Sequence, residues 1–222
     1  MFVVWTVFFI WGIYAAFPTI YYKYLRKSKR VDERKISLTF DDGPDEIYTE
    51  ILLTLLQKHK IKATFFLVAE KAVQHPQIVE KIKAAGHEIG LHCDRHRKAL
   101  YQLPHQTIRD MNVGLEKLRT LGIEPKFYRP PHGYINLAML WKIKSAGLQL
   151  MLWDILPRDW REDKTFDEIC YILLRETKNG GIICLHDSGK GTGGNLHSPR
   201  NTIAALERFI PMMEMRGYWF EW

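Results

Sequence analysis

The chain has 222 residues, a formal net charge of +7, 46% hydrophobic and 26% charged residues, and three cysteines. That length suits one domain whose core is large enough to need no staples, and the balance excludes a disordered or low-complexity chain. The charge is concentrated: residues 1–22 carry none, +5 sits in residues 23–35, and the remainder of the chain is left with about +2, which excludes a duplex-binding surface and argues against nucleic acid as a partner.

The first predicted element is the uncharged run Phe2–Tyr22, 21 residues rich in Phe, Trp, Val and Ile. A bilayer core takes roughly 20 apolar residues as helix, so this run is long enough to span. Trp5, Trp11, Tyr21 and Tyr22 are the aromatics expected near interfaces, although Trp11 falls mid-span. Ala15-Ala16 is the only weak cleavage candidate and no basic residue precedes the run, so a retained anchor is expected rather than a cleaved signal. A hydrophobic helix docked on the domain is the alternative. The organisation expected is an anchor over 1–22, a basic juxtamembrane linker over 23–35, and a single domain over 36–222. The basic flank makes membrane lipid, through anionic headgroups, a partner. It also places the domain on the cytoplasmic side by the positive-inside rule.

The domain alternates strand and helix. Strands are predicted at Ile36–Phe40, Ala63–Val68, His87–Leu91, Lys126–Arg129, Leu148–Trp153, Gly181–Leu185 and Tyr218–Glu221. Helices are predicted at Glu46–His59, Glu70–Ala85, Thr107–Leu121, Asn136–Ala146, Thr165–Thr177 and Pro199–Met215, with Gly86, Gly122, Gly147 and Gly180 as stop signals. Apolar strands in βα alternation imply an α/β fold, either a parallel barrel or an open parallel sheet, with reactive groups at the carboxyl ends of the strands. The unusual polar residues do fall there: Asp41-Asp42 after the first strand, His92 after the third, Arg129 after the fourth, Asp154 after the fifth, and His186-Asp187 after the sixth.

Asp41-Asp42 is an adjacent acidic pair before Gly43-Pro44. Neighbouring carboxylates repel, so a buried pair calls for a cation or a shared proton, with one ligating and the other acting as base. A helix N-cap is the competing reading. His92 and His96, spaced i, i+4, can reach one ion; with one Asp they make a zinc-type set that keeps an open position, whereas two surface histidines would be the plain alternative. Arg129-Pro130-Pro131-His132-Gly133 is a stiff loop presenting a planar guanidinium suited to a carboxylate. His186 at a strand end is a candidate general acid. The Gly-rich Ser188–Gly194 fails the phosphate-loop spacing and reads as a rim loop. The three cysteines form no CxxC pair and are expected as free thiols.

Taken in order, Thr39-Phe40-Asp41-Asp42-Gly43-Pro44, His92-Cys93-Asp94-Arg95-His96, Arg129-Pro130-Pro131-His132-Gly133, Asp159-Trp160 and Leu185-His186-Asp187 resemble the motifs of the polysaccharide deacetylase family, the NodB-homology or carbohydrate esterase family 4 domain. The resemblance runs from about Lys35 to the C-terminus. It implies a distorted (β/α) barrel that removes acetyl groups from a glycan, with a divalent metal, usually zinc, as cofactor. Carried over by position, Asp41 is the general base, Asp42, His92 and His96 hold the metal, and Arg129 pairs with Asp41. His186 is the general acid, oriented by Asp159, while His132, Trp160, Cys184 and Leu185 surround the acyl group. Relatives that work on walls and extracellular glycans imply an outer location, opposite to the charge pattern. Cys93, Arg97, Leu156 and Cys184 depart from the family's usual residues, which bears on loop geometry and acyl-pocket shape. A catalytically inactive carbohydrate-binding protein on the same fold is the rival reading, and a metal hydrolase with another substrate the third.

Overall fold

The computed structural model describes residues 2–25 and 33–221. The central sheet has seven strands, all parallel, in the order β5-β4-β3-β2-β1-β6, with β7 pairing β1. The strands are β1 Lys35–Asp41, β2 Thr64–Val68, β3 Glu88–Cys93, β4 Phe127–Tyr128, β5 Gln149–Leu150, β6 Gly181–His186 and β7 Trp219–Phe220. β7 takes the first two residues of β1, ahead of the stretch paired with β2. The sheet curls until the segment after β5 meets β6: Ile155 bridges Ile183, and Cys184 N–H donates to Ile155 O at 3.0 Å. This is the distorted barrel expected. β1 to β3 are buried almost throughout, as strands covered on both faces must be.

Around the sheet lie α3 Tyr48–Lys58, α4 Ala69–Gln74, α5 Pro76–Ala84, α6 Pro104–Thr120, α7 Leu137–Ser145, α8 Phe166–Glu176 and α9 Ser198–Met215. Their apolar faces meet the strands in one core that includes Leu38, Phe40, Leu56, Phe65, Leu91, Leu206 and Phe209. The helix predicted over 70–85 is divided at His75, because Pro76 cannot donate an N–H to the preceding turn and instead starts α5. The strand predicted over 148–153 keeps only Gln149–Leu150. The carbonyls of Met151 and Leu152 are taken by the Arg129 side chain instead of a ladder.

The N-terminal segment is continuously helical. α1 Phe2–Trp11 and α2 Phe17–Ile20 alternate with wider, π-type winding at Gly12–Ala16 and Tyr21–Leu25. Val4–Leu25, in which an 18-residue stretch has a mean hydropathy of 1.5, is long and apolar enough to cross a membrane by length and composition. One face is nevertheless docked on the domain, burying Ala15, Pro18 and Thr19. The helix runs three residues past the boundary expected at 22, so Lys23 lies on it and not on a linker. At the other end of the basic flank Arg34 donates to Arg216 O and Lys35 opens β1, and residues 26–32 lie outside the described residues.

Candidate active site

The barrel gathers its polar residues at the carboxyl end of the sheet, in a cleft of about 1550 Å³ lined by Asp41, Asp42, His92, His96, Trp160 and His186 among others. β1 delivers Asp41 and then turns sharply, with Asp42 at φ 78, a strained value for a residue with a Cβ. The start of α3 is served by Asp45, whose Oδ1 accepts from the N–H groups of Ile47 and Tyr48 at 3.0 Å. The capping task is therefore done elsewhere, and Asp41 and Asp42 are left for the cleft.

Asp42 Oδ1 lies 3.3 Å from His92 Nε2 and 3.2 Å from His96 Nε2. The same oxygen is buried without a hydrogen-bond partner. His92 Nδ1 is 2.7 Å from the carbonyl of Arg129, a contact that orients the ring and turns Nε2 toward Asp42. Burial pushes His96 down to about 3, so its imidazole is neutral at physiological pH. Burial also opposes the charge on Asp42, but the imidazoles of His92, His186 and His96 hold it below the usual carboxylate range. One carboxylate oxygen and two imidazole nitrogens converging on a common point fit a divalent cation.

Asp41 is held by a different set of contacts. Arg129, fully buried, donates from Nη1 to Asp41 Oδ1 at 2.8 Å and to Thr39 Oγ1 at 2.6 Å. Its Nε and Nη2 reach the carbonyls of Met151 and Leu152, each at 3.1 Å. The guanidinium stacks over Phe66 at 4.1 Å. Gly90 makes room for that ring, since a Cβ there would come within 2.5 Å of it. Asp41 Oδ2 accepts from Cys184 Sγ at 3.3 Å.

His186 stands at the end of β6, in register with Asp41. Its Nδ1 is 2.8 Å from Asp159 Oδ1, and Trp160 packs edge-on to its ring at 4.9 Å. Burial works against an imidazolium here, but the Asp159 carboxylate outweighs it and His186 is raised to about 9. The cleft thus presents an ionised carboxylate beside two imidazoles, a second carboxylate gripped by arginine, and a protonated histidine. That is the equipment of a hydrolase that works by proton transfer.

Comparison with known proteins agrees. The model of the family described as "Polysaccharide deacetylase" matches residues 28–151. A peptidoglycan-N-acetylglucosamine deacetylase of Bacillus cereus is 37% identical over 191 residues, covering 85% of this chain and 86% of its own length. The chain belongs to the polysaccharide deacetylase family. Among solved structures, the peptidoglycan N-acetylglucosamine deacetylase Bc1960, in complex with 4-naphthalen-1-yl-N-oxidanyl-benzamide, superposes with a TM-score of 0.79 at 30% identity, covering 86% of this chain and 87% of that one. A family 4 acetyl xylan esterase from Clostridium thermocellum, in complex with a cobalt ion, gives 0.74 at 28% identity, covering 84% and 87%. As a polysaccharide deacetylase the chain is an enzyme, a hydrolase on the NodB-homology fold.

The structure brings together Asp41, Asp42, His92, His96, Arg129, His132, Asp159, Trp160, Cys184 and His186 of this deacetylase. Leu185 is the exception: alternation along β6 turns it into the hydrophobic core, so only Cys184 of that pair faces the cleft. Sequence reasoning missed the supports. Lys71 on α4 donates to Asp42 O at 2.7 Å and Ser188 Oγ at 2.9 Å, but one lysine on an amphipathic helix gives no signal. Asp110 on α6 accepts from the N–H groups of Asp94 and Arg95, shaping the loop that presents His96. Thr202 on α9 donates to Asp159 Oδ2 at 2.8 Å. Asp187 is buried, accepts from Thr49 at 2.5 Å, and is raised by burial to about 7. All three cysteines are free and buried.

Proposed function

We propose that this polysaccharide deacetylase hydrolyses N-acetyl groups of a membrane-associated glycan with the help of a divalent metal, zinc in the first instance. The observation that carries the reading is the placement of Asp42, His92 and His96 in one cleft with the arginine-held Asp41 and the aspartate-held His186. Asp42, His92 and His96 would hold the cation, which when bound supplies Lewis acidity at the acetyl carbonyl. Asp41 takes a proton from the attacking water; Arg129 and Cys184 keep its carboxylate oriented for that task. His186 gives its proton to the departing nitrogen, and Asp159 keeps the imidazole charged until then. Acetate and a free amine are released without a covalent acyl-enzyme.

N-acetyl is favoured over O-acetyl because an amine leaves poorly without a proton, and His186 is a charged donor at neutral pH. The relatives named for peptidoglycan N-acetylglucosamine support the same choice, while the acetyl xylan esterase keeps an O-acetyl substrate in the test panel. An inactive carbohydrate-binding protein has no use for a protonated acid and a gripped base beside a cation site. The exposed apolar side chains of the N-terminal helix, Phe8, Phe9, Ile13 and Phe17 among them, favour lipid as its partner. The basic flank favours the cytoplasmic face, where the substrate would be a lipid-linked precursor. Protease treatment of intact spheroplasts tests that side: degradation of the domain with a cytoplasmic marker spared would move it outside.

The deciding experiment is acetate release by the purified full chain from acetylated glucosamine oligomers, peptidoglycan and acetylated xylan, with and without chelator. Turnover on the N-acetyl substrates that is lost with chelator and regained with zinc is expected. Turnover that ignores the chelator, or none on any glycan, rejects the reading.

A further inference from the structure

The N-terminal helix touches the cleft itself. Lys23 Nζ donates to the carbonyl of His132 at 2.8 Å, and its ammonium lies 5.1 Å from the centre of the Tyr134 ring and 5.8 Å from that of Trp153. One helical turn earlier, Thr19 Oγ1 donates to Ile135 O and accepts from Ile135 N–H, both at 2.9 Å and both buried. The helix therefore holds both ends of the 132–135 turn. That turn needs holding: His132 sits at φ 56 and Gly133 at φ 66, and the His132 ring packs edge-on against the His96 ring at 4.7 Å. Gly133 also fits the lysine stem closely, since a Cβ there would come within 2.8 Å of Lys23 Cε.

The winding of the helix serves the same contact. Trp11, Ala15, Thr19 and Lys23 recur every fourth residue, and all four meet the domain. At about 3.6 residues per turn such a row would drift around an α-helix. The wider turns at Gly12–Ala16 and Tyr21–Leu25 bring it back to one face.

We infer that the N-terminal helix is a working part of the catalytic cleft and that Lys23 is a positioning residue, fixing the His132 turn against the ligand His96. One consequence concerns the membrane. The helix lies along the domain from Trp11 to Lys23 while Ile13, Phe17 and Ile20 stay exposed, so an apolar face beside the cleft mouth is left for the bilayer, where a membrane-bound glycan is within reach.

The test uses the full chain in detergent micelles or nanodiscs, with three variants: Lys23→Met, Lys23→Arg and Thr19→Val. Amide hydrogen exchange across residues 131–136 in the metal-free protein reads the clamp without depending on the deacetylase reading. Acetate release, which does rest on that reading, separates kcat from KM. Lys23→Met should speed exchange in this segment by about tenfold or more and lower kcat about tenfold with KM little changed, a factor of ten being about 1.4 kcal/mol in the barrier. Lys23→Arg should recover most of both, and Thr19→Val should speed exchange at Ile135. Unchanged exchange in Lys23→Met overturns the clamp whatever the activity. Faster exchange with kcat unchanged, or a kcat loss that Lys23→Arg does not relieve, overturns the positioning role. If the parent chain releases no acetate, the proposed function fails while the exchange result still decides the clamp.

Discussion

Asp159 grips His186 at two points: Oδ1 pairs with the imidazole Nδ1 and Oδ2 accepts from the His186 backbone N–H, each at 2.8 Å. The carboxylate is itself held by Thr202 and is fully buried. The double contact fixes both the position and the charge of the ring.

A pH dependence follows. His186 has a folded pKa of about 9 against an ordinary value of 6.5. Because the folded value is the higher one, the paired imidazolium contributes stability that is fully present below about pH 6.5 and is lost as pH rises through about 9. Thermal unfolding of the metal-free protein should therefore show a stability loss between those limits, and Asp159→Asn should remove most of that slope. In the enzyme, Asp159→Asn should move the alkaline limb of the kcat/KM profile to lower pH. An unmoved limb would take His186 out of the general-acid role.

The proposed cation site makes a second prediction. Asp42 Oδ1 is a buried acceptor without a donor, and a bound cation would satisfy it. Zinc should raise the melting temperature, since a ligand at 100 times its Kd contributes about 2.7 kcal/mol. The double variant His92→Ala, His96→Ala should lose both stoichiometric metal and this thermal shift. Elemental analysis that finds full metal in the double variant would remove the assignment.

Base and ligand can be told apart by paired amides. Asp41→Asn should retain the metal and lose ~10²–10⁴ in turnover, the usual worth of a general base. Asp42→Asn should weaken metal binding itself. Asparagine is the suitable replacement at position 42 because it tolerates the positive φ found there. A reversed pattern of metal retention would exchange the two roles.

The sequence displayed most of this site because its chemistry is carried by residues that end strands. Asp42, His92, Arg129 and His186 follow apolar runs, and a parallel sheet brings all strand ends to one rim. The alternation of β6 was equally readable and would have placed Leu185 in the core, away from Cys184. What could not be read were contacts between distant elements with no local signature. Lys71, Asp110 and Thr202 look like ordinary residues of amphipathic helices, yet each closes a hydrogen bond on a site loop. Lys23 looked like part of a basic flank, because nothing in the spacing of lysines says that one folds back onto a carbonyl 109 residues away. The shortened β5 has the same origin: its missing ladder partners are the carbonyls that Arg129 captures.

Arg129 gives the last prediction. Its guanidinium is fully buried and serves Asp41, Thr39, Met151 O and Leu152 O at once. Only a planar fork can reach acceptors in those directions, so a lysine cannot replace it. Arg129→Met would leave the Asp41 carboxylate, itself buried, without its countercharge, and would strip two carbonyls of their donor. Removing one partner of a buried pair costs about 3–5 kcal/mol, which urea denaturation of the metal-free protein should register as a lower midpoint. Arg129→Lys should fall between the two, because it keeps the charge but loses the fork. Asp41→Asn combined with Arg129→Met should cost less than the two single changes added together, since the second change removes the charge that the first left unpaired. Strict additivity would mean that the arginine supports the fold through Met151 and Leu152 alone and does not hold the base.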